Sequence, residues 1–376
     1  MSEHARTDRL QHQEAKGEGP GSQKPLKPIK QRTKKKKPIL KIILLVLAAV
    51  LLVGAAYGVH LLQQTRNAID KTYSSVDKAK EAKVSKVVVA KDPISILLLG
   101  TDTGAFGRKD VNGNSDTIIV ATINPKTKRT TLTSVPRDTM GQIVGTTNYD
   151  FEKINSANLR GGPKMALNSV SKLLNVPLTN YVSINMGGLQ QIVDAVGGVD
   201  VDVTFAFSYG GSTFTKGKMH LNGQQALNYA RMRYTDPRGD YGRQERQRDI
   251  IESIIKSAAS TGTLANFQKL LDSISNNVRT NLTFDQMVAI FKGYRGAAKT
   301  VESDHVQGIG AYWGKAAVQI AATTELQRVS DKIRTELGLE KETVNNETTR
   351  QNQLNATNGF NFKNPTTIQN FEVHAN

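Results

Sequence analysis

The chain contains no cysteine. Structural disulfides, thiolate metal sites and a cysteine nucleophile are therefore excluded. Its six histidines fall in no HExxH or comparable ligand spacing, which argues against a zinc site. No internal repeat is present. Acidic residues are in deficit, 33 against 50 basic ones, for a formal net charge of +17 and a pI near 9.8. Such an excess points to a polyanionic neighbour, nucleic acid or anionic membrane, and says nothing about fold. It is also uneven, because residues 24–41 hold nine lysines and arginines and no acid.

Residues 1–37 are polar and show no hydrophobic period, so a disordered basic tail is expected. The uncharged run from Ile42 to Val59 extends to Leu62 and has the length of a membrane span. A buried core helix would show a polar face, and a signal peptide would have a shorter apolar region and a clearer exit than Ala55-Ala56. The reading is an uncleaved transmembrane helix over 38–62. The Lys34–Lys37 cluster precedes it, and mixed charges follow. The positive-inside rule then places the N-terminus in the cytoplasm and all that follows Leu62 outside, as a single-pass type II protein of the cell membrane. Nucleic acid is thereby set aside as a partner, and the basic tail becomes a topology and headgroup signal.

A helical stalk is expected over 63–91, one globular domain over 92–339, and a disordered tail rich in Asn, Thr and Gln over 340–376. Within the domain, Pro93–Leu99 reads as a buried strand ending at Gly100-Thr101-Asp102. Thr117–Ile123 and Thr130–Val135 form a hairpin, and Pro163 opens a helix that closes before Pro177. Tyr181–Ile184 is a strand, Leu189–Val196 a helix stopped by two glycines, and Val199–Val203 a strand. Asn222 with Gln225, and Thr283 with Gln286, have the spacing of capping boxes. Ile250, Ile251, Ile254 and Ile255 stripe a long helix, and Leu264–Ile274 is a further helix. This order predicts an α/β (α+β) domain, a mixed central sheet covered by helices.

The densest chemistry lies in Arg231–Arg248, where six arginines and three carboxylates share eighteen residues without a lysine. Arginine offers a planar fork that grips phosphate or carboxylate through two parallel bonds. Pro237 and Gly239 put the middle of the run on a turn, where helical pairing cannot account for the charges. Two readings stay open, an exposed charged helix laced with i,i+4 ion pairs and a site for a phosphorylated anion, and the turn favours the second. Two aspartates sit at strand ends: Asp102 after the first strand and Asp116 before the second. If these strands are neighbours the carboxylates converge, and such a pair near phosphate suits Mg²⁺. Each could instead merely cap a turn.

The segments Ile96–Asp102, Ser115-Asp116-Thr117, Thr122–Lys126, Ser134–Asp138, Lys153–Asn155, Gly197–Val201, His220–Ala226 and the arginine run are collinear. In these segments the chain resembles the LytR-CpsA-Psr family of membrane-anchored bacterial enzymes, which attach anionic glycopolymers to peptidoglycan. The resemblance implies that 92–339 is a catalytic domain of this type, outside the membrane of a Gram-positive-type envelope. It implies Asp102 and Asp116 as the Mg²⁺ (or Mn²⁺) site. It assigns Arg137, Arg231, Arg233 and Arg243 to the pyrophosphate of a polyprenyl-linked donor, with Arg238, Gln244 and Arg246 in the same substrate-binding motif. Asp102, Arg137, Arg231 and Arg233 are the implied catalytic residues, with Asp102 as candidate base. Many members carry an arginine where this chain has Asn114; either Arg108 or Lys109 substitutes, or fewer charges hold the first phosphate.

The implied activity is Mg²⁺-assisted transfer of a teichoic-acid-like or capsule-like polymer from a polyprenyl-pyrophosphate-linked glycan to peptidoglycan. A donor of this kind requires an arginine cluster beside a greasy pocket. Two alternatives remain open: a pyrophosphatase acting on the same lipid, and a non-catalytic envelope regulator or lipid-binding protein. Arg248, deeper in the second helix, is expected to pair with a neighbouring carboxylate.

Overall fold

In the structure, a computed structural model that describes residues 87–88, 91–103, 112–260, 271, 274, 276–364 and 367–375, the first apolar run becomes β1 (Ile94–Thr101). Both of its faces are covered. Leu97 and Leu99 point into one core cluster, and Ile94 and Ile96 into another. Each leucine removed from water contributes about 1.5–3 kcal/mol. The run is continuous rather than alternating because apolar groups cover both faces.

β2 (Ser115–Asn124) and β3 (Arg129–Ser134) form the expected hairpin. Then come β4 (Met140–Gln142), β5 (Phe151–Lys153), α1 (Ser156–Leu174), β6 (Asn180–Asn185) and α2 (Met186–Ala195). Helical geometry in α1 breaks at Gly161 and Gly162, so Pro163 does open its longer, regular part. Four short strands follow, β7 (Val199–Val203), β8 (Phe207–Tyr209), β9 (Ser212–Phe214) and β10 (Gly217–Leu221), then α3 (Gly223–Arg231) and α4 (Asp240–Ser260). β11 (Val278–Thr280), α5 (Phe284–Tyr294), β12 (Thr300–His305), β13 (Gly308–Trp313) and β14 (Ala316–Ala321) lead to α6 (Thr323–Glu336), α7 (Glu347–Thr357) and β15 (Gln369–Asn370). Both expected capping boxes are present, Asn222 with Gln225 and Thr283 with Gln286.

The central sheet has six strands in the order β11-β6-β1-β2-β3-β12. It is mixed, with β1 antiparallel to β2 and parallel to β6. On one face α1 and α6 bury Leu167, Val170, Leu173, Leu326, Val329 and Ile333 against Leu97, Leu99, Ile118 and Val120. On the other face Ile251 and Ile255 of α4 approach Leu98, Ile119 and Ala121. A side lobe gathers β7, β10, α2, α3 and the middle of α4 around Phe214 and Tyr229.

Two expected boundaries are corrected. Residues 340–376 were expected to be a disordered tail, yet they carry α7 and β15, with Phe360 and Phe371 packed on Met140 and Phe151. Their amide side chains earn this order by satisfying backbone groups. Gln351 Nε2 donates to the His374 carbonyl at 2.6 Å, Asn352 Nδ2 to Ala321 at 2.9 Å, and Asn355 Nδ2 to Glu372 at 2.8 Å. The domain also begins before residue 92, because Val88, expected in the stalk, packs with Ile94, Leu282 and Tyr294. The tail expected at 1–37, the anchor at 38–62 and most of the stalk lie outside the described residues. So does most of the helix expected at Leu264–Ile274. Among the described residues no helix is long and apolar enough to cross a membrane.

Candidate active site

The strand register brings the two aspartates together. Thr101 pairs with Ser115 and Gly100 with Thr117, so Asp116 is the extra residue of a β-bulge. Bulges re-aim a side chain, commonly beside a site. Gly100 makes the close approach possible: a Cβ there would stand 2.8 Å from the Thr117 side chain. Asp102 follows directly on β1, and both carboxylates line one cavity of about 660 Å³.

The arginine run reaches that cavity from two helix ends, as the Pro237–Gly239 turn suggested. Arg231 ends α3, Arg233 lies two residues on, and Arg243 stands in the first turn of α4; all three line the cavity beside Arg137. Arg137 Nη1 contacts Asp116 Oδ1 at 2.5 Å, and its Nε is 3.7 Å from Asp138, which Lys153 holds at 2.8 Å. Burial alone would lower the Arg137 pKa, but Asp116 outweighs it and the net direction is up. Arg243 is the opposite case. It is buried, and that burial pushes its pKa down, with nearby Arg137 and Arg233 adding to the fall against Asp240 and Asp116. Its Nη2 lies 2.6 Å from Asp240 Oδ1, and among the described residues its Nε and Nη2 make no hydrogen bond, nor does Arg137 Nε. Buried donors in that condition cost roughly 1–3 kcal/mol each, more when charged. Four guanidiniums lining one cavity make it electrostatically complementary to an anion.

The rest of the cavity is apolar. Ile96 and Leu98 from β1, Ala121 and Ile123 from β2, Ile184 from β6, and Met186, Leu189 and Ile192 from α2 form its walls. All four isoleucines of the α4 stripe, Ile250, Ile251, Ile254 and Ile255, line it too. Strand alternation explains the division of labour. Ile96, Leu98 and Gly100 face the cavity while Leu97 sits in the opposite core.

Three residues expected to bind substrate lie outside the cavity lining. Arg246 is buried, its Nη1 2.5 Å from Asp236 Oδ2, with Nε and Nη2 donating to the Tyr229 and Met232 carbonyls. Arg238 pairs with Asp236 and Glu245. Gln244 Nε2 donates to Asp240 Oδ2 at 2.9 Å. These groups brace the turn between α3 and α4 instead of facing the cavity. The buried carboxylate at its centre requires Gly242, where a Cβ would lie 1.9 Å from Asp236 Oδ2. Arg248, expected to pair with a carboxylate, donates to the Ser134 hydroxyl at 2.7 Å.

Asn114 lines the cavity, while Arg108 and Lys109, its suggested substitutes, lie outside the described residues. Sequence reasoning missed Tyr209, Tyr234 and Gln247, which also line it. Gln247 had a readable signal, since it falls one helical turn after Arg243. Tyr209 comes from the β8–β9 hairpin and gave none. Among the described residues no cluster of three or more His, Asp or Glu could hold a metal. The cavity thus offers the Asp102–Asp116 pair, a donor set that fits Mg²⁺ bound jointly by carboxylates, phosphate and water.

Comparison with known proteins places the chain in a family. The LytR_cpsA_psr family matches residues 57–335. The chain is 43% identical over 303 residues to the polyisoprenyl-teichoic acid–peptidoglycan teichoic acid transferase TagU of Enterococcus faecalis, covering 81% of this chain and 98% of that protein. The TagU of Bacillus subtilis is 40% identical over 280 residues, covering 74% of this chain and 90% of that protein. A crystal structure described as a transcriptional regulator of Enterococcus faecalis superposes with a TM-score of 0.63 at 39% identity, covering 73% of this chain and 97% of that one. By sequence and fold alike, the chain belongs to the LytR-CpsA-Psr family.

Proposed function

We propose that the chain is a phosphotransferase that moves an anionic glycopolymer from a polyprenyl-pyrophosphate carrier to a hydroxyl of peptidoglycan. Its relatives are named as transferases that join teichoic acid to peptidoglycan. The observation that carries the donor assignment is one continuous cavity with guanidiniums at one end and isoleucine-lined walls beyond. A polyprenyl pyrophosphate has that same polarity along its length. The isoleucines exclude water from the tail, and the orphaned donors of Arg137 and Arg243 receive phosphate oxygens.

Phosphoryl transfer needs in-line positioning and charge neutralisation more than covalent help from the protein. Arg231, Arg233 and Arg243 approach the charged end from two helices, which lets them stabilise the charge that develops as polyprenyl phosphate departs. Mg²⁺ (or Mn²⁺), held by Asp102 and Asp116, would supply further neutralisation of the phosphates. Asp102 takes the role of base toward the acceptor hydroxyl, and Asp116, paired with Arg137, is the firmer of the two metal ligands. An anchor at 38–62 would keep the domain at the outer membrane surface, where such a lipid resides.

The test is transfer of labelled polymer from a polyprenyl-pyrophosphate donor to peptidoglycan fragments by the full-length chain in detergent. Removal of Arg231 and Arg233 together should lower the rate at least 100-fold, the scale on which losing one preorganised donor is felt. An unchanged rate would sink the site. Polymer released only to water would identify the chain as a pyrophosphatase.

A further inference from the structure

The family match ends at residue 335, and the segment beyond it closes a groove against the N-terminal end of α6. It lies between α6 and α7, has a volume of about 700 Å³, and is lined by Thr324, Thr343, Asn345, Gln353 and Phe362 among others. That volume is ligand-sized. Its two charged residues, Glu347 and Arg350, pair with each other at 2.7 Å, so no net charge faces a ligand. Thr324, Thr343, Asn345 and Gln353 are exposed, and among the described residues their side chains meet no hydrogen-bond partner. Phe362 is half-buried, its ring 4.7 Å from that of Phe360 and tilted by 51°, which fixes it as an apolar platform.

Two hydroxyls, two carboxamides and one aromatic face suit a neutral ligand rich in hydroxyl and acetamido groups. Carboxamides can donate and accept at once, and hydroxyls rotate to suit. A phosphate polymer would need cations, and the one guanidinium lining the groove is spent on Glu347. The groove is also tied to the charged end of the cavity. β14 leads straight into it at Ala322 and Thr323. Three residues earlier, Gln319 donates its backbone N–H to the Asp138 carbonyl, next to Arg137. Gly308, paired with Ala321, donates to the Tyr241 hydroxyl, two residues before Arg243. By strand rise the separation from Gln319 to Ala322 is about 10 Å.

We propose that this groove binds the neutral glycan strand of the acceptor, so that the C-terminal segment supplies an acceptor site beside the phosphate site. Binding of a glycan here stands by itself; its role as acceptor rests on the transferase reading above. The donor's anionic polymer is left to the arginine end.

Two measurements on the full-length chain in detergent test it. The first is affinity for chitotetraose, a neutral oligomer of N-acetylglucosamine, by calorimetric titration. The combined variant Thr324→Ala, Asn345→Ala, Gln353→Ala should bind at least tenfold more weakly at an unchanged Tm, because none of these side chains supports the fold. Phe362→Ala should weaken binding as well, and Arg231→Ala should leave it unchanged. The second is the transfer reaction, in which the combined variant should show a raised acceptor KM with kcat preserved. No binding by the unmodified chain, equal binding by the combined variant, or preference for poly(glycerol phosphate) over the tetraose overturns the proposal. Equal acceptor KM in an active combined variant overturns the acceptor role while the transferase reading stands. Groove-dependent glycan binding in a chain that transfers nothing supports the site and defeats the transferase reading.

Discussion

Asp236→Ala is the most informative structural perturbation of the arginine run. The Asp236 side chain is 0% exposed and that of Arg246 is 3% exposed, with 2.5 Å between Oδ2 and Nη1. Removing the carboxylate takes the anionic partner from a buried guanidinium that keeps the Tyr229 and Met232 carbonyls and the Phe207 and Tyr229 rings. Breaking such a pair from one side costs about 3–5 kcal/mol. For a domain of this size that corresponds to a fall in Tm of roughly 10 °C. Arg246→Ala should cost somewhat less, since Arg238 still reaches Asp236 through its backbone N–H at 2.8 Å and its side chain at 3.3 Å. Burial by itself raises the Asp236 pKa, but these donors outweigh it and hold the carboxyl below its ordinary value. Its contribution is therefore present above the unfolded carboxylate pKa, about 4, and is lost as pH falls through the lower folded value. The assay is denaturant unfolding of the full-length chain at neutral pH and again near pH 3, alongside donor affinity. A loss under 1 kcal/mol, or donor binding abolished at unchanged stability, would refute the assignment of this pair to the scaffold.

Gly242→Ala should act through the same carboxylate, because its Cβ would collide with Asp236; a destabilisation comparable to that of Asp236→Ala is expected in the same unfolding assay. Ala121→Phe sends a ring from the middle of β2 into the apolar cavity. Polyprenyl donor affinity measured by titration should weaken at least tenfold, whereas short water-soluble pyrophosphate analogues should bind as before. Phe371→Ala should cost about 3–5 kcal/mol, read as a fall in unfolding midpoint, since Phe371 is 2% exposed between Phe151 and Phe360.

The charged end of the site was legible because its parts depend on local rules. A strand followed by Asp102 and a strand preceded by Asp116 converge once the strands are antiparallel neighbours, and the Pro237–Gly239 turn aims two helix ends at one place. The stripe of four isoleucines was equally clear in period, although not that it lines a cavity. Which way each guanidinium turns was not legible. Arg243 faces the cavity and Arg246 a buried aspartate, three residues apart on one helix, and only the packing around Asp236 decides between them. Strands β12 to β14 went unseen: Thr300–His305 is an edge strand carrying charges, and Gly308–Trp313 lacks alternation. The C-terminal helix hides for a related reason. Its buried positions are Thr348, Gln351, Asn352 and Asn355, and the three carboxamides among them serve backbone carbonyls distant in sequence rather than an apolar period.

Native mass spectrometry of the full-length chain, released from detergent, tests most directly whether the cavity is a polyprenyl-phosphate site. A polyprenyl phosphate or pyrophosphate should copurify with the unmodified chain and be lost from both Ala121→Phe and the double variant Arg231→Ala, Arg233→Ala. Ordinary phospholipid in its place, or a polyprenyl lipid retained by both variants, would contradict that assignment.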